Sequence, residues 1–144
     1  MEYVDSSKQH LNSGQIITIY LENTDQPHPP EVMMPAILTE LSQPTVKTKQ
    51  IGNTLFEVML GDGDKAFFKA FNADTGPNFV ENSKMFVVWA KRVLGLKILM
   101  TQFKDPAIQS LFKVISMNPP MKGMGYQVFH MKSGETRIIM TLGD

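Results

Sequence analysis

The sequence predicts an α+β fold in which helices flank a mixed β-sheet of about seven strands. Residues 79–94 repeat apolar side chains every three or four positions and precede Gly95, as expected of an amphipathic helix and its C-terminal stop. Residues 96–102 are a short apolar run typical of a buried strand. An antiparallel meander is indicated by period-two alternation between glycine-containing turns, with strands at residues 46–51, 54–60 and 65–71.

The first predicted elements are a strand and a helix. Residues 15–21 are rich in β-branched and aromatic side chains, which favours a strand. Residues 31–42 place apolar side chains at helical spacing, with Pro35 one turn inside. Residues 1–13 are polar and show no period, so we expect them to form an N-terminal arm of a single domain that spans residues 1–144.

The second half of the chain predicts two helices and a hairpin. We expect the central helix to begin near Phe79, because Asn78 can cap it and Glu81 lies three residues further on, as in a capping box. Asp105 is a suitable cap for a helix at residues 106–116. Strands at residues 126–131 and 136–142 complete the predicted order, β-α-β-β-β-α-β-α-β-β.

The formal net charge of zero hides a gradient along the chain. Residues 1–46 carry one lysine and six carboxylates, a net charge of −5, and residues 47–144 carry thirteen basic and eight acidic side chains, a net charge of +5. This basic density is well below that of nucleic-acid-binding proteins, so we do not expect a nucleic-acid partner. The chain has no cysteine, which excludes disulfides and thiolate-based metal sites.

The sequence also lacks the features of membrane and secreted proteins. No uninterrupted run of about eighteen apolar residues occurs. The first residues have neither a basic flank nor an apolar run of signal-peptide length. We therefore expect a soluble, cytoplasmic protein without a membrane partner.

Two segments between Phe86 and Phe112 resemble a known family. Residues 89–98 pass from an aromatic-alanine-basic sequence through a glycine into an apolar strand, and residues 105–112 end in a leucine-aromatic pair. Together with the order of elements over residues 14–142, they resemble the GCN5-related N-acetyltransferase (GNAT) superfamily. The resemblance implies a sheet that splays at its centre, with acetyl-coenzyme A (acetyl-CoA) entering the splay.

The resemblance also implies which residues would bind the coenzyme. The end of the third meander strand would hold the pantetheine, and the turn before the central helix would hold the pyrophosphate on backbone N–H groups. Two further positions lie on the following helix, where the family usually has asparagine and tyrosine. The implied cofactor-binding residues are Phe71, Asn72, Gly76, Asn78, Asp105 and Phe112.

Several residues depart from the family pattern. In the loop before the central helix only Gly76 fits, because Ala73 stands where arginine or glutamine is usual, Asp74 adds a negative charge and Pro77 removes a backbone donor. Phe112 lacks the hydroxyl of the tyrosine that protonates the coenzyme thiolate. The sequence therefore weakens both the phosphate site and the general acid.

Glu57 is the candidate catalytic residue. It lies mid-strand between Phe56 and Val58. If its side chain turns toward the splay, burial would raise its pKa and suit it to deprotonate an amine. Strand alternation equally permits a solvent-facing Glu57.

Two functions follow from these observations. The first is an acyl-CoA-dependent N-acetyltransferase acting on an amine-bearing small molecule or protein. The second is a non-catalytic GNAT-fold scaffold that binds a protein partner, for example a bacteriophage virion or accessory protein, through methionine-rich segments at residues 32–34 and 117–124. Both require the sheet to part between residues 65–71 and 96–102.

Overall fold

A computed structural model describes residues 10–143, so residues 1–9 of the predicted N-terminal arm lie outside the described residues, as does Asp144. The helices are α1 (Ser13–Asn23), α2 (Pro30–Leu41), α3 (Gly76–Arg92) and α4 (Pro106–Met117). The strands are β1 (Val46–Ile51), β2 (Thr54–Leu60), β3 (Lys65–Asn72), β4 (Ile98–Phe103), β5 (Gly125–His130) and β6 (Thr136–Thr141). No helix in this range is long and apolar enough to cross a membrane.

The six strands form one mixed sheet in the order β1-β2-β3-β4-β6-β5. Strands β1, β2 and β3 are the predicted antiparallel meander, and β5 and β6 are the predicted hairpin. Strand β4 pairs parallel with β3 and antiparallel with β6. The α+β class and the mixed sheet are therefore as predicted, with six strands among residues 10–143 rather than about seven.

The helices cover the two faces of the sheet and enclose two apolar cores. Helices α3 and α4 cover one face, and the larger core beneath them includes Phe56, Val58, Phe68, Phe86, Leu99, Phe112, Ile138 and Met140. Helices α1 and α2 cover the other face over β1, β2 and β3. The smaller core beneath them contains Ile16, Ile17, Leu21, Ile37, Leu55 and Phe71.

The prediction of a first strand at residues 15–21 is wrong, because this segment lies within helix α1. Asn12 and Gln15 form a reciprocal capping box: the Asn12 side chain accepts from the Gln15 N–H at 2.8 Å, and the Gln15 side chain accepts from the Asn12 N–H at 2.9 Å. Ile16, Ile17 and Leu21 then lie on one helix face and are buried. Burial of this face outweighs the strand preference of the β-branched residues.

The predicted start of the central helix is also corrected. Thr75, not Asn78, is the N-cap of α3, and the helix begins at Gly76. Pro77 suits this arrangement because its fixed φ fits the first turn of a helix and its missing N–H would lack a helical partner there. In α2, Pro35 lies inside the helix without shortening it.

Candidate functional site

The sheet parts between β3 and β4, as the resemblance implies. The parallel pairing joins Lys65 to Ile98, Ala66 to Leu99 and Phe67 to Met100. Beyond Phe67 the registered pairing stops, although β3 continues to Asn72 and β4 to Phe103. The two strands therefore diverge toward their C-terminal ends, where they leave a wedge-shaped opening.

The ring of Phe112 lies across this opening on the α3–α4 side of the sheet. Its centroid is 6.3 Å from that of Phe68 on β3 and 5.8 Å from that of Phe103 on β4. The side chain is 5% exposed. Phe112 thus bridges the diverging strands through aromatic contacts, which fill space at the mouth of the wedge.

Asp105 and Gly76 lie at the two helix N-termini near this opening. The Asp105 side chain caps α4 by accepting from the Ala107 N–H at 2.9 Å. A Cβ atom added to Gly76 would lie 3.7 Å from Leu111 on α4, an ordinary contact distance. The start of α3 therefore lies beside α4, close to Phe112.

The loop between β3 and α3 is held by side chains of the protein itself. The Asp74 carboxylate accepts from the Asn53 N–H at 2.8 Å and from the Asn82 amide at 2.7 Å. The Asn72 side-chain oxygen accepts from the Thr54 hydroxyl at 2.8 Å and from the Asp74 N–H at 3.0 Å. We call these five residues the Asp74 network; it ties the loop to the β1–β2 turn and to the second turn of α3.

The first turn of α3 offers few backbone donors to a bound anion. Pro77 has no N–H, the Asn78 N–H donates to the Thr75 hydroxyl at 3.4 Å, and the Phe79 N–H donates to the Thr75 carbonyl at 2.8 Å. Within residues 76–79 this leaves the Gly76 N–H. A helix N-terminus that binds phosphate normally presents several such groups.

Gly52, in the β1–β2 turn, packs directly against the Asp74 network. Its φ is +56°, and an added Cβ atom would lie 2.9 Å from the Asn82 amide nitrogen and 3.0 Å from an Asp74 carboxylate oxygen. Gly63, in the next turn, has a similar φ of +67° but open space around the Cβ position. Substitutions at Gly52 and Gly63 therefore separate the effect of a positive φ from the effect of crowding.

We expect Gly52→Ala to destabilise the protein by roughly 1 kcal/mol more than Gly63→Ala, because only the first also crowds buried neighbours. Urea unfolding of both variants and wild type measures the difference. Equal losses in the two variants would mean that the Asp74 network yields freely at this point.

Glu57 is buried on the face of the sheet covered by α1 and α2, so the solvent-facing alternative is wrong. Its exposure is 0%, and neither carboxyl oxygen has a hydrogen-bond partner among residues 10–143. Burial raises its pKa, the nearby Glu40 carboxylate adds to the rise, and Lys69 opposes it. Lys69 is directly opposite Glu57 on β3 but pairs with Glu40 at 3.3 Å.

The sheet separates the residues predicted for the site. Phe112 lies on the α3–α4 side of the sheet, whereas Glu57 and Phe71 lie on the α1–α2 side. Phe71 is 4% exposed, and its ring meets that of Tyr20 edge-on at 5.1 Å. Among residues 10–143 no cluster of three or more histidine, cysteine, aspartate or glutamate side chains is placed to hold a metal ion.

No protein-family model matches this chain. No curated protein matches it either. What the chain is similar to is therefore shown by its fold.

The fold is similar to that of solved N-acetyltransferases. Spermidine N-acetyltransferase from Vibrio cholerae, solved with CoA and spermine, matches with a TM-score of 0.61 at 12% identity, over 93% of this chain and 94% of that chain. N-acetyltransferase PseH from Campylobacter jejuni, solved with acetyl coenzyme A, matches with a TM-score of 0.58 at 11% identity, over 92% of this chain and 94% of that chain. At these low identities the TM-scores show a shared fold.

Proposed function

We propose that this protein is a GNAT-fold scaffold that does not transfer acetyl groups and acts by binding a protein partner. The observation that supports this proposal is the Asp74 network. It fixes a carboxylate immediately before α3, in the loop where the resemblance expects a pyrophosphate site. A bacteriophage particle is one setting in which such a scaffold would work.

The residues of this loop do not fit a pyrophosphate group. The dipole of α3 would favour an anion by about 0.3–1 kcal/mol. Losing one hydrogen bond to a charged group costs roughly 1.5–3 kcal/mol, and Pro77 and Asn78 both fail to offer a free N–H. The Asp74 carboxylate adds like-charge repulsion. The balance is therefore against coenzyme binding at Asn72, Gly76 and Asn78.

The other predicted site residues also make contacts within the fold. Phe112 packs between two strands and has no hydroxyl to donate. Asp105 is used as a helix cap. Glu57 is enclosed beneath α1 and α2. Each of these arrangements supports a structural role.

The second candidate function is an acyl-CoA-dependent N-acetyltransferase. The opening between β3 and β4 favours it, because the resemblance places acetyl-CoA in such an opening. The Vibrio cholerae and Campylobacter jejuni neighbours were solved with CoA and acetyl coenzyme A, and the former also with the amine spermine. An amine-bearing small molecule would then be the acceptor, and Glu57, whose pKa is raised, the candidate base.

Thermal unfolding with acetyl-CoA distinguishes the two functions. At about a hundred times its dissociation constant a ligand stabilises the folded state by about 2.7 kcal/mol, which would raise the Tm by roughly 6–10 °C. We expect no shift for this protein. Vibrio cholerae spermidine N-acetyltransferase, measured in parallel, serves as the positive control.

A shift of that size would refute the scaffold proposal, and two variants at Gly76 would then locate the ligand. Gly76→Asp should abolish a shift that arises from the loop, since it adds a second carboxylate there. Gly76→Ala should preserve it, because a Cβ atom at this position meets only Leu111 at 3.7 Å.

A further inference from the structure

Two surfaces of this molecule carry opposite charges, and both include exposed apolar side chains. The first, which we call the basic face, lies on one side of α3 and the adjoining edge of β1. The second, which we call the acidic groove, lies between α1 and α2. We propose that the basic face of one copy binds the acidic groove of a second copy, so that the protein associates head to tail.

The basic face combines exposed apolar side chains with cations. Met85 is 59% exposed and Val93, the C-cap of α3, is 66% exposed; with Trp89 they recur every four residues. Lys49 on β1 lies over the Trp89 ring, with its ammonium 5.8 Å from the ring centroid. Arg92 on the same side of α3 is exposed.

The remaining charges near the basic face leave it positive. Lys47 points to the same side of β1 as Lys49, because strand residues two apart share a face. Glu81 is the carboxylate on this side of α3, and it pairs with Lys84 at 3.6 Å. Lys47, Lys49 and Arg92 therefore give this surface a net positive charge.

The acidic groove has the opposite composition. Its cavity of about 540 Å³ is open to solvent and includes the apolar side chains of Ile19, Met34 and Leu38. Glu22 lies three residues after Ile19 and Glu31 three residues before Met34, so each shares a helix side with groove residues. Both glutamates are exposed.

The acidic surface extends beyond the groove. Residues 10–46 carry four carboxylates and no lysine or arginine. One of them, Glu40, pairs with Lys69 on β3. The other three, Glu22, Asp25 and Glu31, lie in a stretch of the chain that contains no lysine or arginine. Val32, exposed by 53% on α2, adds apolar area.

The basic face and the acidic groove of one molecule cannot contact each other. Helices α1 and α2 cover one face of the sheet, and α3 covers the other. A contact between them must therefore join two copies through different surfaces, and such heterologous contacts produce rings or open chains. The exposed side chains of Met85 and Val93 are small enough to enter the apolar cavity in the acidic groove of a second copy.

Nucleic acid fits the basic face less well than a protein surface does. Three cations are few for a phosphate backbone, and the apolar side chains of Met85 and Val93 would lie against it without a partner. A protein surface with carboxylates around an apolar cavity matches both features, and this chain itself provides one.

Sedimentation of the full chain at low and high salt tests the proposal. The Debye length falls from about 30 Å at about 0.01 M salt to about 3 Å at about 1 M, so charge pairing between copies should weaken strongly. We expect a mass of at least twice 16.2 kDa, the mass of one chain, at low salt, and a decrease toward 16.2 kDa at high salt. A single chain at low salt, or a mass that does not respond to salt, would overturn the proposal.

Two variants test whether the contact is heterologous. Lys49→Gln with Arg92→Gln removes charge from the basic face, and Glu22→Gln with Glu31→Gln removes charge from the acidic groove. Each variant alone should lose the association. Mixed together they should form a species of two chains, because each retains the surface that the other lacks; recovery of no such species would contradict the head-to-tail arrangement.

A matched control removes the same charge elsewhere. Lys104→Gln with Lys132→Gln changes two exposed lysines that lie outside both surfaces. This control should associate as wild type does, and a loss equal to that of the basic-face variant would show that net charge, not the proposed contact, governs the association.

This inference rests on the proposed function, since it names the partner as a second copy, but the two fail separately. A melting shift with acetyl-CoA would remove the scaffold proposal and leave the association in place. A monomer at low salt would remove the association and leave the absence of acetyl transfer in place.

Discussion

Replacing Phe86 with alanine is expected to lower the free energy of unfolding by about 3–5 kcal/mol. Phe86 is 0% exposed, and its ring stacks on Phe56 with centroids 4.2 Å apart and planes inclined by 3°. It also contacts Phe68 at 5.1 Å and Trp89 at 6.1 Å. The loss combines the removed apolar contacts with the cavity left between α3 and the sheet.

Urea unfolding measures this loss, and an exposed apolar residue outside both proposed surfaces provides the control. Val114 on α4 is 50% exposed, so Val114→Ala should change stability by less than about 0.5 kcal/mol. If the two variants were equally stable, α3 would not pack on the sheet through this ring.

The second large effect is expected from Glu57→Gln, which should stabilise the protein by up to about 3 kcal/mol at neutral pH. The Glu57 carboxyl is fully buried and has no hydrogen-bond partner in the described part of the chain, and burial raises its pKa above the ordinary value of 4.5. Folding therefore requires either a buried charge or uptake of a proton. A neutral amide of the same shape requires neither.

The sign of the pH dependence follows from this raised pKa. Between the unfolded and folded pKa values the folded state binds more protons, so wild-type stability falls as the pH rises through this interval. Below about pH 4.5 the carboxyl is protonated in both states, and the advantage of Glu57→Gln should disappear.

Urea unfolding of wild type and Glu57→Gln over a range of pH measures this prediction. Asp62→Asn, at an exposed carboxyl in the turn between β2 and β3, serves as the control and should follow the wild-type profile. A constant difference between wild type and Glu57→Gln at every pH would contradict the burial of an ionisable group.

Local sequence patterns were sufficient for most of the fold. The bounds of β1 and β2 match the alternating segments, because the turn residues on either side define where each strand ends. The Asp105 cap of α4 is equally local. The β-branched residues of α1 favour a strand, whereas the capping box of Asn12 and Gln15, which is visible in the sequence, favours the helix that forms.

The wrong prediction of a strand at residues 15–21 also affects what can be predicted for the surroundings of Glu57. A strand at residues 15–21 would have extended the sheet, whereas helix α1 covers the face from which Glu57 projects. Alternation along β2 indicates on which face of the sheet Glu57 lies, but not which element covers that face. The burial of Glu57 could therefore not be predicted without the correct structure of α1.

The candidate site was predictable only in part. Asp74 and Pro77 are visible in the sequence as departures from a phosphate loop, but the partners of Asp74 are not. Asn53 and Asn82 lie 21 and 8 residues away from it, and only the fold brings them together. The position of Phe112 was predicted by resemblance, whereas its contacts with Phe68 and Phe103 required the divergence of β3 and β4.

The short seam between β3 and β4 also has a mechanical consequence. Three registered residue pairs join the two halves of the sheet, whereas β2–β3 has seven and β4–β6 has six. Under tension applied across the sheet, this seam should separate before either antiparallel half unravels. Resistance to such a force would then come from these three pairs together with the aromatic contacts of Phe112 to Phe68 and Phe103.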